Sequence, residues 1–224
     1  MTPQHHLPAD IERTSISIIT RELDELGLTP PPETEAVVRR VIHTTADFDY
    51  VDNLVFSDHA VQKAIVALRA GCDIVTDTQM ARAGINKTIL ASLGGEVHCF
   101  MSDADVAAEA KERGVTRAFV SMERAAALPK PCIFAIGNAP TALFSLENLM
   151  EADKLRPALI IGVPVGFVNV VESKERLFAV CEKHGVPAIV AMGRKGGSNV
   201  AAAICNALIY SAAEMLDPSA RGWK

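Results

Sequence analysis

From Gly71 onward, short apolar runs alternate with segments of helical period, and no other feature of this 224-residue chain restricts its fold as strongly. Asp73–Thr78, Glu96–Met101, Pro131–Ile136, Ala158–Val163 and Ala188–Ala191 read as strands. Ala104–Arg113, Thr141–Ala152, Ser173–His184 and Asn199–Leu216 read as helices. Strands alternating with helices build βαβ units, and hence a largely parallel sheet covered on both faces. Ahead of this region, Ile11, Ile16, Ile18, Ile19, Leu23 and Leu26 mark a helix over Asp10–Leu26, ended by Gly27. Pro30, Pro31 and Pro32 open a second helix that runs to about Thr45. Ser57 is the expected N-cap of a third, Asp58–Ala70. The expected class is therefore α/β: a single doubly wound, largely parallel sheet with helices on both faces and a helical N-terminal segment. No repeat or linker divides the chain, so residues 1–224 read as one domain.

Hydrophobic residues make up 49 % of the chain and charged ones 22 %, which suits a sizeable buried core and excludes a disordered chain. The formal charge of −5 argues against nucleic acid and against an anionic membrane as partners. An anionic ligand would have to meet a local cluster of cations. Cys72, Cys99, Cys132, Cys181 and Cys205 are odd in number, widely spaced and free of any CxxC pair. They read as small buried hydrophobes in a reducing compartment, not as a disulfide framework or a zinc site. No targeting segment or membrane span of ~20 apolar residues is expected, so the reading is a cytoplasmic protein.

The second helix has two faces. At 100° per residue, Val37, Val38 and Val41 share one arc of about 100°, and Arg39, Arg40 and His43 share another roughly opposite. His43 is three residues from Arg40 and four from Arg39, so the side chains can meet. Such a face is either a solvated basic surface or a cationic imidazole site. Neighbouring guanidinium groups make a protonated His43 a stronger acid. Asp47 and Asp49, just beyond, read better as turn formers than as a metal or acid/base pair. His59 and His98 have no partner at metal-ligand spacing, and His5, His6 and His184 read as surface residues. The loops expected at the carboxyl ends of the strands are Gly-, Pro- or Asn-rich, and such ends are where ligands bind in α/β sheets. Among them, Gly193-Arg194-Lys195-Gly196-Gly197-Ser198-Asn199 combines backbone N–H groups with two cations, as an anion site would. It matches neither phosphate-loop nor dinucleotide fingerprint, so a nucleotide-dependent oxidoreductase is a weak reading.

Val41-Ile42-His43-Thr44-Thr45-Ala46-Asp47-Phe48-Asp49-Tyr50 resembles the signature segment of the precorrin-8 methylmutases, which move a methyl group during corrin (vitamin B12) biosynthesis. Four further blocks are similar to the family, in family order. They are Asp77–Met80 with Gly84–Lys87, Ala135–Phe144, Gly162–Val168 with Glu172–Glu175, and Gly193–Asn199. Together the resemblance covers about residues 10 to 212.

The resemblance implies an intramolecular isomerisation, moving a methyl group from ring carbon 11 to ring carbon 12, with no cofactor and no protein-bound metal. It implies that His43 is the acid, acting on the ring-C side of the macrocycle. It implies substrate contacts for Ser15 and Arg40, and for Arg117, which could reach across a homodimer interface. Gln79, in a family block, and the cations Arg39, Arg194 and Lys195 complete the expected binding set, since guanidinium forks suit the substrate's many carboxylates. The wording of the blocks is more similar to the branch acting on cobalt-precorrin-8, giving cobyrinate, than to the one acting on metal-free precorrin-8X, giving hydrogenobyrinate. Any cobalt would belong to the substrate. A reading of another class is a corrinoid carrier that binds product without turnover.

Overall fold

A computed structural model describes residues 7–222. The chain opens with α1 (Pro8–Glu25), α2 (Glu35–Thr45), the single turn α3 (Tyr50–Asn53) and a three-residue strand, β1 (Leu54–Phe56), followed by α4 (Ala60–Arg69). Then come β2 (Asp73–Thr76), the short helices α5 (Gln79–Gly84) and α6 (Lys87–Ser92), β3 (Val97–His98), α7 (Ala104–Arg113) and α8 (Arg117–Ala125). Three βα units finish the sheet: β4 (Cys132–Ile136) with α9 (Pro140–Glu151), β5 (Leu159–Gly162) with α10 (Val170–His184), and β6 (Ala188–Ala191) with α11 (Ser198–Ala212). A 3₁₀ turn over Pro218–Arg221 follows.

The six strands lie in the order β1-β6-β5-β4-β2-β3, all parallel except β1, which pairs antiparallel with β6. β2, β4, β5 and β6 are buried along their whole lengths, which is why they read as continuous apolar runs. Successive side chains still part to opposite faces. Ile74, Ile133, Ala135, Ile161 and Ile189 join a core with α2, α4 and α11. Val75, Phe134, Ile136, Ile160 and Val190 join another with α8, α9 and α10. Helix α11 is buried almost all round, and its run of Ala, Val, Ile and Leu follows from that position.

Several expectations shift. The prolines stay outside α2: Pro31 accepts the N–H groups of Thr34 and Glu35, and the helix starts only at Glu35. A residue preceding proline is pushed from helical to extended backbone, and Thr29, Pro30 and Pro31 all precede one. Ser57 is not a cap. Its Oγ accepts the Ala188 N–H at 2.8 Å and its own N–H donates to the Ala188 carbonyl at 2.9 Å, so it continues the β1–β6 pairing. Residue His59, at φ +54°, precedes α4 instead. The strand expected over Glu96–Met101 pairs only at Val97 and His98. All five cysteines are buried thiols.

Candidate active site

The two faces of α2 decide what lies near His43. Val37, Val38, Val41 and Ile42 are buried against the sheet-covering core. This leaves Arg40 and His43 directed between α1 and α11. His43 stands between two adjoining cavities. One, of about 410 Å³, is lined by Ile11, Ser15, Ile18, Ile42, His43 and Phe48. The other, of about 640 Å³, is lined by Arg40, His43, Thr44, Asn199, Asn206 and Tyr210. Ile11 and Ile18 of α1 are 51 % and 40 % exposed because they wall the first cavity instead of packing into the core. Volumes of this size suit a small-molecule ligand.

Ser15 Oγ and His43 Nδ1 are 2.8 Å apart. Either atom can donate, depending on the state of the imidazole. His43 Nε2 makes no hydrogen bond among the described residues and is the nitrogen left for a ligand. Burial first, and then the Arg40 charge, hold the His43 pKa below the ordinary 6.5. Protonated, it is therefore an acid stronger than free imidazole. A bound polyanion beside it acts in the opposite direction and favours its charging.

Arg40 sits over a buried carboxylate. Its Nη2 donates to Glu12 Oε1 at 2.6 Å, and its guanidinium lies 5.3 Å from the centre of the Tyr210 ring. Glu12 accepts two more bonds, from Arg221. Burial alone would raise the Glu12 pKa; the hydrogen bonds from Arg221 and Arg40 outweigh it and hold the group below its ordinary value. Neither Glu12, Tyr210 nor Arg221 is singled out by any sequence motif. Glu12 lies on the buried side of α1, and an acid at a core position of an amphipathic helix is the one signal that points to it.

The other predicted residues lie elsewhere. Arg39 turns to Glu35 at 2.5 Å and, together with Arg40, Glu12, Ile16 and Leu216, lines a further cavity that His43 does not reach, so the basic face of α2 serves two spaces that share Arg40. Gln79 bonds the Cys99 carbonyl and Ser102. Arg117, on the other side of the sheet, reaches the Met101 carbonyl at 3.3 Å. Arg194 stacks 5.3 Å over the exposed Phe167 ring. Lys195 binds both Asp47 and Asp49 at 2.6 Å, tying the Gly193–Asn199 loop to the chain just after His43. That ion pair, which the spacing did not suggest, depresses the Asp47 pKa. Asp49 N–H also donates to Asp47 Oδ1, so the two acids do form a turn. His5 and His6 lie outside the described residues.

The crevice between the carboxyl ends of β2 and β4, where the strand order reverses, is filled by the chain itself. Asp77 accepts the N–H groups of Gly137, Asn138 and Ala139 at 2.8, 2.8 and 2.6 Å. Burial pushes its pKa up, against those donors. Ser198 and Thr78 join the start of α11 to that of α5 at 2.8 Å. The loop's lysine neighbour Lys174 is fully buried and donates to the Gly193 and Lys195 carbonyls at 2.9 and 2.8 Å. The open cavities beside His43 thus lie among α1, α2 and α11, while the strand-end crevice between β2 and β4 is occupied by the chain's own groups. Among the described residues, no three His, Cys, Asp or Glu side chains group as metal ligands. No helix among them is long and apolar enough to cross a membrane.

The family profile described as precorrin-8X methylmutase (CbiC) matches residues 10–211. A cobalt-precorrin-8 methylmutase of Salmonella typhimurium is 48 % identical over 210 residues, covering 91 % of this chain and 95 % of the relative. A precorrin-8X methylmutase of Pseudomonas aeruginosa is 41 % identical, covering 88 % and 93 %. The crystal structure of a precorrin-8x methyl mutase from Thermus thermophilus superposes with a TM-score of 0.80 at 39 % identity, covering 92 % and 96 %.

Proposed function

The chain belongs to the precorrin-8X methylmutase family, and on that premise we propose that His43 is the acid of a corrin-ring methyl migration. The enzyme is an intramolecular methyl-transferring isomerase of cobalamin biosynthesis. The observation that carries the role of His43 is its position: it is the titratable group standing between the two cavities, held through Nδ1 by Ser15.

In this reading the macrocycle lies across both cavities. Nε2 delivers a proton to the ring-C side, the methyl group moves from carbon 11 to carbon 12, and the proton is returned. Atoms and electrons balance without an oxidant or a reductant, so no redox cofactor is required. A positioned acid contributes ~10²–10⁴-fold. Holding the ring in a reactive geometry supplies the remainder. Ser15 orients the imidazole and meets the substrate edge, and Arg40 takes a substrate carboxylate. Arg194, Lys195, Arg39 and Gln79 would serve only the outer carboxylates. Arg117 lines neither cavity of its own protomer, so in this reading it acts across a homodimer. Sedimentation of the wild-type enzyme tests the dimer, and a monomer would remove Arg117 from the site.

Cobalt-precorrin-8 is the proposed substrate, because the Salmonella relative bearing that name is more similar than the Pseudomonas relative named for precorrin-8X. Methyl migration changes ring conjugation, so absorbance during incubation with each form reports conversion. Conversion of the metal-free form alone would reverse the assignment. His43→Ala should lower turnover by ~10²–10⁴-fold and keep product binding; a corrinoid carrier would show no turnover even in the wild type.

A further inference from the structure

Beyond residue 211, where the family match ends, the chain turns back on α1 and brings Arg221 to Glu12. The two arginines on this carboxylate are not equivalent. Arg221 holds it with a fork: Nη2 to Oε1 at 2.6 Å and Nη1 to Oε2 at 3.2 Å. Arg40 makes a single bond, Nη2 to Oε1 at 2.6 Å. The Arg221 side chain is 1 % exposed and the Glu12 side chain 6 %, whereas Arg40 is 14 % exposed and lines the His43 cavity. Tyr210 lies under both guanidinium groups, 4.3 Å from Arg221 and 5.3 Å from Arg40.

We propose that Arg221 is a positioning residue that serves as the standing counter-ion of Glu12, so that Arg40 can exchange its one bond to Glu12 for a substrate carboxylate. This rests on the reading that Arg40 contacts the substrate. The physics is a matter of what is left behind. If Arg40 were the sole partner of Glu12, engaging the substrate would strand a buried carboxylate, which is strongly unfavourable. With the fork of Arg221 in place, Glu12 keeps two charge-assisted bonds when Arg40 leaves. The triad also carries one net positive charge, where an Arg40–Glu12 pair would be neutral. The tail thus turns an internal salt bridge into a cation offered to an anionic ligand.

The test is an absorbance titration of the product cobyrinate into wild type, Arg40→Ala, Arg221→Ala, Glu12→Gln and the double variant Arg221→Ala/Glu12→Gln. Arg221→Ala should bind at least about tenfold more weakly, with Arg40 now committed to Glu12. Glu12→Gln in that background should restore binding to near the wild-type value, because a neutral amide no longer holds Arg40. A bridge that merely stiffens the fold predicts the reverse: two losses that add. Unrestored binding in the double variant, or wild-type binding by Arg221→Ala, overturns the proposal. Should Arg221→Ala not fold, Glu12→Gln alone decides, since it must bind no more weakly than wild type. Undiminished binding by Arg40→Ala would remove the substrate-contact reading itself, a result separate from the others.

Discussion

Ser15 and His43, on different helices and 28 residues apart in sequence, meet at 2.8 Å through Oγ and Nδ1. This bond engages Nδ1, leaves Nε2 for the proposed proton delivery and constrains the ring plane. Ser15→Ala should therefore reduce turnover without abolishing it. A hydrogen bond contributes about 0.5–1.5 kcal/mol, so kcat should fall up to about tenfold. With His43 in its proposed role as acid, His43→Ala should cost ~10²–10⁴-fold. Equal losses in the two variants would show that Ser15 does more than orient the ring.

The pH dependence follows from the direction of the His43 shift. In the proposed role His43 must be protonated, so activity should fall as pH rises through its pKa. Burial and Arg40 place that pKa below 6.5 in the free enzyme. The falling limb of kcat/KM, which reports the free enzyme, should therefore lie below 6.5. The limb of kcat reports the bound state, where substrate carboxylates favour the imidazolium, and should lie at higher pH. Coincident limbs, or a kcat/KM limb above 6.5, would contradict the assignment.

Lys195 illustrates how a cation can be visible in sequence and already committed in space. Its ammonium is matched by Asp47 and Asp49, both at 2.6 Å, on a solvent-facing loop. Exposed pairs contribute little, so Lys195→Met should change KM by less than about threefold and leave kcat unaltered. Arg40→Ala should raise KM far more. Steady-state kinetics on the two variants separates them, and a larger effect from Lys195 would move the main carboxylate contact to the loop.

Lys174 carries a buried charge with carbonyl partners and, among the described residues, no carboxylate partner. Burial pushes its pKa down to about 8, against 10.5 in an unfolded chain. Below pH 8 the group is charged in both states. Between about 8 and 10.5 the folded state releases the proton first, so this group adds stability as pH rises, up to roughly 3 kcal/mol. Lys174→Met removes that dependence. The Tm of wild type minus that of the variant should increase from pH 8 to pH 10; a flat difference would mean the lysine is solvated on opening of the loop.

The fold was legible because the buried strands and the sheet-covering helices carry period and composition on their own. Ile133, Phe134 and Ile160 need no partner to announce a strand buried on both faces. β1 was not legible: Leu54-Val55-Phe56 is too short to show alternation, and only its pairing with β6 defines it. The two halves of the site differ in the same way. His43 and Arg40 share a helix face that a wheel exposes, whereas Glu12 and Arg221 join them from 28 and 181 positions away, measured from Arg40. Arg39 shares a cavity with Arg40 and Glu12 but not with His43, and its guanidinium is captured by Glu35 one turn earlier, a local competition that a wheel of cations does not weigh. The strand-end loops were found, and Asp77 fell in a block similar to the family, but nothing in its spacing shows that its carboxylate accepts the Gly137, Asn138 and Ala139 N–H groups.

Gly137 tests how tightly the filled crevice governs the site. A Cβ there would come within 2.7 Å of Ser198 Cα and 2.9 Å of the Gly197 carbonyl, both backbone of the turn into α11. Neither can rotate away. Gly137→Ala must displace the start of α11, which carries Asn199 and Asn206 into the His43 cavity. Overpacking costs typically about 1–3 kcal/mol, so the Tm should fall. Because Asn206 also accepts the Asn86 N–H at 2.8 Å and donates to the Gly84 carbonyl at 2.8 Å, the displacement should reach α5 and widen the cavity. Product affinity should then drop together with Tm, while the pH at which kcat/KM falls stays fixed, since Ser15, Arg40 and Glu12 sit on α1 and α2. A moved pH limb with unchanged affinity would place the coupling between α11 and the acid instead.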